Sequence, residues 1–433
     1  MFQFAGTRSI LAAGMVAAVL LGQLLSADRA EPPSAAEYSL DTPPMAVAGL
    51  LGDLTGTNVA KRKAAGEELA KLAEAEPYLR TYRATKAGMS DGFAGDALEA
   101  LEEDRAKRNL KRVPGWAKEG RYDLLVDVSL HLTTTEQANE VGQPFFDFAD
   151  ATSSTAAKLG GPNKINLLGS MAAFSRQPNL FHIHEKSRPA EVQLASSGYV
   201  RAQSCEASAS TRFKWLVLTR NHLKGTHPRN NQWEDCYLFH NSDLALDDCM
   251  TSLVVCDGDV ELVASGFSAG SVLIANGSIR SKVGIVSSNS LFFAHGDIAL
   301  KAFRPSDGVQ MAGGRLLDVK TGKVRPNTEH EKSGVKENPF GVRFFQSADV
   351  GVELAAKGAV VSVAKLTPGS PLTKYDLQVG DIITQVNDKP AKTANDVRRE
   401  LRYSVALEAG IFHIRRGDEK LTRVVYFKNG LEK

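Results

Sequence analysis

Three stretches in the middle of this chain are versions of one another: SLVVCDGDVEL from Ser252, SVLIANGSIRS from Ser271 and SLFFAHGDIAL from Ser290, at intervals of 19 residues. CYLFHNSDLAL, from Cys236, precedes them by 16 residues, and a fainter copy, WLVLTRNHLKG, starts 21 earlier at Trp215. Each copy is a β-rich apolar triplet, a turn (Asn241-Ser242, Asp257-Gly258, Asn276-Gly277 or His295-Gly296) and a second short strand led by Leu244, Val260, Ile279 or Ile298. A unit this small cannot bury its own apolar face. Stacked copies bury each other's, which predicts a parallel β-solenoid of about five rungs between about 213 and 302. The uneven spacing places insertions in the loops between rungs.

The turn positions His222, Asp243, Asp259, Ser278 and Asp297 form a column along such a solenoid. Acidic columns serve polysaccharide-cleaving β-helices, but Asp beside Gly is also what turns need for backbone reasons. No basic partner recurs, so turn chemistry is the expectation and a polysaccharide-active enzyme the alternative. Gly266-Phe267-Ser268-Ala269-Gly270 matches the Gly-x-Ser-x-Gly elbow, which needs a helix after it; a repeat rung follows instead, and the segment reads as an inter-rung loop. His182-x-His184-Glu185 shares a strand face, yet spacing places no third ligand. No metal, cofactor or catalytic residue is expected. Cys205, Cys236, Cys249 and Cys256 do not stack in the repeat register, so buried free thiols are expected rather than a bridge. In style the repeat is similar to the β-helices of the polymer-forming bactofilin family, which keeps self-association through the solenoid as a further alternative.

The N-terminus carries Arg8, an uncharged apolar run from Ile10 to Leu25, and then Ser26-Ala27. Residues 1–27 read as a secretory signal, since 16 apolar residues are short of the roughly 20 that span a membrane. An uncleaved anchor, with membrane association through this segment alone, is the alternative. The expected address is periplasm or cell envelope. With 52 basic against 50 acidic residues, no global field recruits nucleic acid.

Residues 28–56, rich in Ala, Pro and Gly, read as a linker. Apolar residues at helical spacing follow through 57–132, with helices expected from Val59, near Pro77 and from about Ser90 to Leu110. AKRKAAGEELAKLAEAEPYLRTYR in this region resembles a HEAT-type helical repeat. Tyr122–Leu132 fits helix or strand. Within 133–197, left unassigned, Thr135–Ala149 and Thr155–Phe174 suit helices broken by Gly160-Gly161-Pro162. The repeats occupy 198–303, and a Gly, Pro and Lys-rich connector 304–339.

The last unit, 340–433, contains GSPLTKYDLQVGDIITQVNDKP from Gly369 to Pro390. Gly-Ser-Pro opens a short helix, Val379-Gly380-Asp381 a turn, and Ile382–Val386 a buried strand. This stretch resembles the bacterial PDZ domain family, with Asp376 standing where the family usually has Gly. The resemblance implies a loop, Asp349-Val350-Gly351-Val352, whose N–H groups bind a peptide's terminal carboxylate, and a strand from Glu353-Leu354 beside which the peptide is added. It also implies an opposing helix, Thr393–Arg402, with Thr393 as N-cap. The implied peptide-binding residues are Val350, Gly351, Val352, Leu354, Val397 and Leu401. Asp349 places a negative charge beside that loop, which either weakens binding of a C-terminus or favours internal strands as ligands.

The expectation is therefore a multidomain α+β chain: an N-terminal helical region, a central parallel β-solenoid and a C-terminal PDZ-like β-sandwich with two helices. Its expected role is that of an exported non-catalytic scaffold whose partner is the peptide tail or exposed strand of another protein.

Overall fold

A computed structural model of the chain describes residues 43–83, 86–159, 181–185, 190–192, 198–207, 215–225, 232–246, 248–263, 267–282, 286–288, 290–301, 308–317, 323–325 and 338–427. The signal-like segment lies outside them. Among the described residues no helix is long and apolar enough to cross a membrane.

The helical region comprises α1 (Met45–Thr55), α2 (Val59–Leu69), α3 (Glu76–Arg83), α4 (Gly92–Asn109), α5 (Val113–Lys118), α6 (Tyr122–Ser129) and α7 (Thr135–Leu159), with a further single turn at Lys86–Met89. Side chains start three of them, with Thr134 accepting the Gln137 N–H ahead of α7. Asn58 accepts the Lys61 N–H, and Asp91 accepts those of Phe93 and Ala94. Helix α1 replaces part of the expected linker: Val47 and Leu54, two turns apart on one face, are fully buried against the neighbouring helices. Helix α6 resolves the ambiguity at Tyr122 in favour of helix. Every residue from Tyr122 to Ser129 is buried, Asp123 and Asp127 included, so the segment has no solvent-facing side to betray its period. In place of a break after Ala149, α7 runs on to Leu159 with Pro144 inside it.

The solenoid has three faces. On the first, strands 181–185, 198–207, 215–225, 237–240, 253–256, 272–275, 290–294 and 308–312 lie in parallel order. The second stacks 244–246, 260–262, 279–281, 298–299 and 316–317, and ends on an antiparallel strand, 324–325. The third stacks 232–234, 248–250, 267–269 and 286–288. The 19-residue interval is the register itself: Val272 pairs with Leu253 on one side and Leu291 on the other.

The central strands of the first face, 237–240, 253–256, 272–275 and 290–294, are largely apolar and buried along their whole length because both of their sides are covered. Leu238, Val254, Leu273 and Phe292 point into the solenoid; Phe239, Val255, Ile274 and Phe293 point out, into a core shared with α6, α7 and the C-terminal unit. On the second face Leu244 and Leu246 are buried while Ala245 is exposed, the alternation of a strand with one wet side.

Of the expected turn residues His222 lies instead within strand 215–225, opposite Ser204, and the other four act as turn residues. Asp243 Oδ1 accepts the N–H of Asp259 (2.9 Å), Asp259 Oδ1 that of Ser278 (2.7 Å), Ser278 Oγ that of Asp297 (3.1 Å) and Asp297 Oδ1 that of Arg315 (2.8 Å). Each rung thus supplies the acceptor its successor needs. Glycine follows from this closeness: a Cβ on Gly277 would fall 2.1 Å from Asp259 Oδ1.

Two expectations need correction. Stacking continues beyond 303, because MAGGRLL repeats the strand–turn–strand plan within the supposed connector. Phe267–Ala269, expected as loop, is a strand of the third face pairing with 286–288. Third-face strands are three residues long and mixed in composition (QWE, DCM, FSA, VSS), so they show no recurring apolar pattern. A strand, 272–275, follows Gly270 rather than the helix an elbow requires.

The C-terminal unit is an antiparallel sheet in the order 352–357, 360–366, 382–386, 409–416, 419–426, with 389–390 beside 382–386 and helices α8 (Pro371–Lys374) and α9 (Ala394–Ala406). Asp376 adopts the left-handed backbone expected of it (φ 58°), and its carboxylate is held by Arg416 and Arg423.

Candidate functional site

Strand Val352–Lys357 lies at the edge of its sheet and pairs on one side only, with 360–366, among the described residues. Val352 is buried and Leu354 half-buried, whereas Glu353, Ala355, Ala356 and Lys357 are exposed. A row of backbone donors and acceptors is therefore open to a further strand. Small alanines leave the approach unobstructed.

The loop before this strand is a 3-10 turn, Ser347–Val350, closed by Gly351 with φ 71°. A Cβ at Gly351 would stand 3.0 Å from that of Ser370, so position and conformation both favour glycine. Its N–H donates to the Ala348 carbonyl (3.0 Å), and the Asp349 N–H to that of Gln346 (2.9 Å). The Asp349 carboxylate accepts the Gln346 N–H (3.0 Å) and pairs with Arg343 (2.8 Å) and Arg121 (3.4 Å).

Helix α9 begins with a capping box: Thr393 Oγ1 accepts the Asp396 N–H (3.1 Å), and the Asp396 carboxylate accepts the Thr393 N–H (2.8 Å). Val397 and Leu401 share a face, but with 1% and 0% exposure they belong to the core with Val350 and Val352. They do not line an open pocket. The i, i+4 apolar pair of this helix is the one its own sheet claims.

The other faces of α9 are bonded to the rest of the molecule, a feature the sequence reading did not find. Arg402 donates through Nε to Asp127 on α6 (2.7 Å), through Nη1 to Asp257 in a solenoid turn, and through Nη2 to the Asn241 carbonyl (3.2 Å). Arg398 reaches the same Asp257 (2.8 Å) and the Phe345 carbonyl (3.0 Å). Glu400 pairs with Arg220 (2.6 Å), whose guanidinium lies 3.6 Å from the centre of the Tyr403 ring. Tyr403 OH meets His131 Nε2 (2.9 Å), and Asn109 Nδ2 donates to the Ala406 carbonyl (2.7 Å) at the helix end. Segment 338–346 joins this junction, with the Phe345 N–H on Asp123 (2.6 Å) and the Arg343 N–H on the Gly120 carbonyl (3.0 Å).

Asp123, Asp127, Asp257 and Glu400 balance Arg121, Arg220, Arg398 and Arg402, all eight being buried. Burial opposes the Arg402 charge, yet Asp127, Asp257 and Asp123 outweigh it and keep the guanidinium protonated beyond its usual range. Burial pushes Asp123 above the usual carboxylate range, against the pull of Arg121. The same cause pulls His240, the last residue of strand 237–240, down to about 4.

A protein-family model for the PDZ domain matches residues 362–407. The C-terminal unit carries a PDZ domain. The match contains α8 and α9 and begins ten residues after the edge strand starts at Val352. A search of curated proteins found no match to the chain. The PDZ domain supports a protein-binding role for this unit.

The remaining candidates are occupied in structural ways. His184 Nε2 bonds the Leu130 carbonyl (2.8 Å), and no group of metal-ligating side chains occurs among the described residues. All four cysteines are buried free thiols. Cys256 Sγ lies 3.0 Å from the Ser242 carbonyl, and burial pushes its thiol well above its ordinary range.

Proposed function

We propose that this chain is an exported, non-catalytic scaffold whose PDZ domain takes up an extended segment of a partner protein as an added strand beside Val352–Lys357. The observation that carries the proposal is the one-sided pairing of this strand, with exposed Ala355 and Ala356 at its centre. Main-chain pairing at such an edge supplies affinity, and alternate side chains supply choice of partner. The solenoid is the spacer to which this receptor is fixed. Export rests on the pattern of residues 1–27, and intact-mass measurement of the chain recovered from a bacterial envelope would show whether that segment is removed.

Proline tests the edge directly. Neighbouring strand residues point their N–H groups to opposite sides, so of Ala355→Pro and Ala356→Pro one breaks the ladder to 360–366 and the other removes an N–H only from the open edge. The edge-side variant should keep the wild-type urea midpoint while binding the best member of a random heptapeptide library at least tenfold more weakly. Unchanged binding in that variant would refute strand addition here.

A further inference from the structure

Resting on this reading, we infer that the PDZ domain selects an internal extended segment of its partner rather than a free C-terminus. A terminal carboxylate is held by charge-assisted bonds from several N–H groups that must be unsatisfied beforehand. In this chain the N–H groups of Asp349 and Gly351 are already spent on Gln346 and Ala348 within the 3-10 turn. The loop also contains a carboxylate of its own. Asp349 accepts the Gln346 N–H and takes both nearby guanidinium groups, the buried Arg121 and the half-exposed Arg343. An arriving terminal carboxylate would meet the like charge of Asp349 beside two guanidinium groups already paired with it, which works against binding.

The edge downstream has no such obstacle. From Glu353 to Lys357 the side chains are small or project to solvent, apart from half-buried Leu354. A strand that enters and leaves the edge without terminating there meets every requirement of the ladder and none of the loop's restrictions. The ligand class is thus a β-forming stretch within a folded or unfolded protein, such as an exposed edge or a hairpin arm.

The test uses the full chain and the best binder from a free-ended heptapeptide library, presented as the free acid, as the C-terminal amide and embedded between Gly-Ser flanks. Fluorescence polarisation should give three dissociation constants within about twofold of one another. A tenfold or larger loss on amidation or embedding would overturn the inference while leaving strand addition standing. Failure of every library member to bind would overturn both. Asp349→Asn, which preserves side-chain shape, should let the free acid outcompete the amide by at least threefold; a ratio that stays at one would deny Asp349 its blocking role and overturn the inference as drawn.

Discussion

Replacing Asp127 with alanine should lower the unfolding free energy by about 3–5 kcal/mol, the range found when one partner of a buried ion pair is deleted. Asp127 is fully buried and accepts from Arg402 (2.7 Å) and Asn241 (2.9 Å). Its removal leaves a balanced cluster of four acids and four arginines with one excess buried cation. Arg402, also fully buried, has no route to water without moving α9. The urea midpoint should fall, and amides of α9 should exchange faster than those of the solenoid strands, because the damage is at the junction. The double variant Asp127→Leu/Arg402→Met should recover most of the loss, since apolar residues of similar volume replace buried pairs at little cost. A single-variant loss below 1 kcal/mol, or a double variant no better than the single, would show that the junction is not held in this way.

Gly120→Ala should have an effect of similar size for a different reason. Gly120 has φ 72°, a backbone that costs other residues about 1–2 kcal/mol. A Cβ there would also lie 1.8 Å from the Gly341 carbonyl oxygen, which is main chain and cannot swing aside. Overpacking adds about 1–3 kcal/mol, giving an expected loss of about 3 kcal/mol with its focus on segment 338–346. Hydrogen exchange at Arg343, whose N–H donates to the Gly120 carbonyl, is the direct readout. Wild-type protection at that amide would count against the assignment.

The solenoid was legible because its repeat interval is identical with its register, as the pairing of Leu253, Val272 and Leu291 makes plain. The turn role of Asp243, Asp259 and Asp297 was legible because it is local, a bond to the backbone of the next rung; the pairing of Asp243 with Arg399 on α9 was not. Thr393 and Asp376 were legible for the same reason, one as a cap and the other as a left-handed turn residue. What escaped notice was non-local. Arg402 and Asp127 lie 275 residues apart, so nothing near either residue signals the other. On a helix, Arg398, Arg399 and Arg402 look like a solvated face, and Asp257 beside Gly258 looks like a turn residue and no more. An apolar i, i+4 pair such as Val397 and Leu401 is the same pattern whether it lines the groove that the PDZ resemblance implies or a core. Only burial separates the two.

The attachment of α9 has a mechanical consequence. A PDZ domain on a flexible tether samples many orientations, and its ligand arrives at an effective concentration set by the linker. Here the helix beside the receiving edge is bonded to a solenoid turn at Asp257 and to α6 at Asp127, with no slack between them. A segment captured at Val352–Lys357 would thus be held at one angle to the stacked sheets. The chain would work as a jig, presenting a captured segment in a set direction.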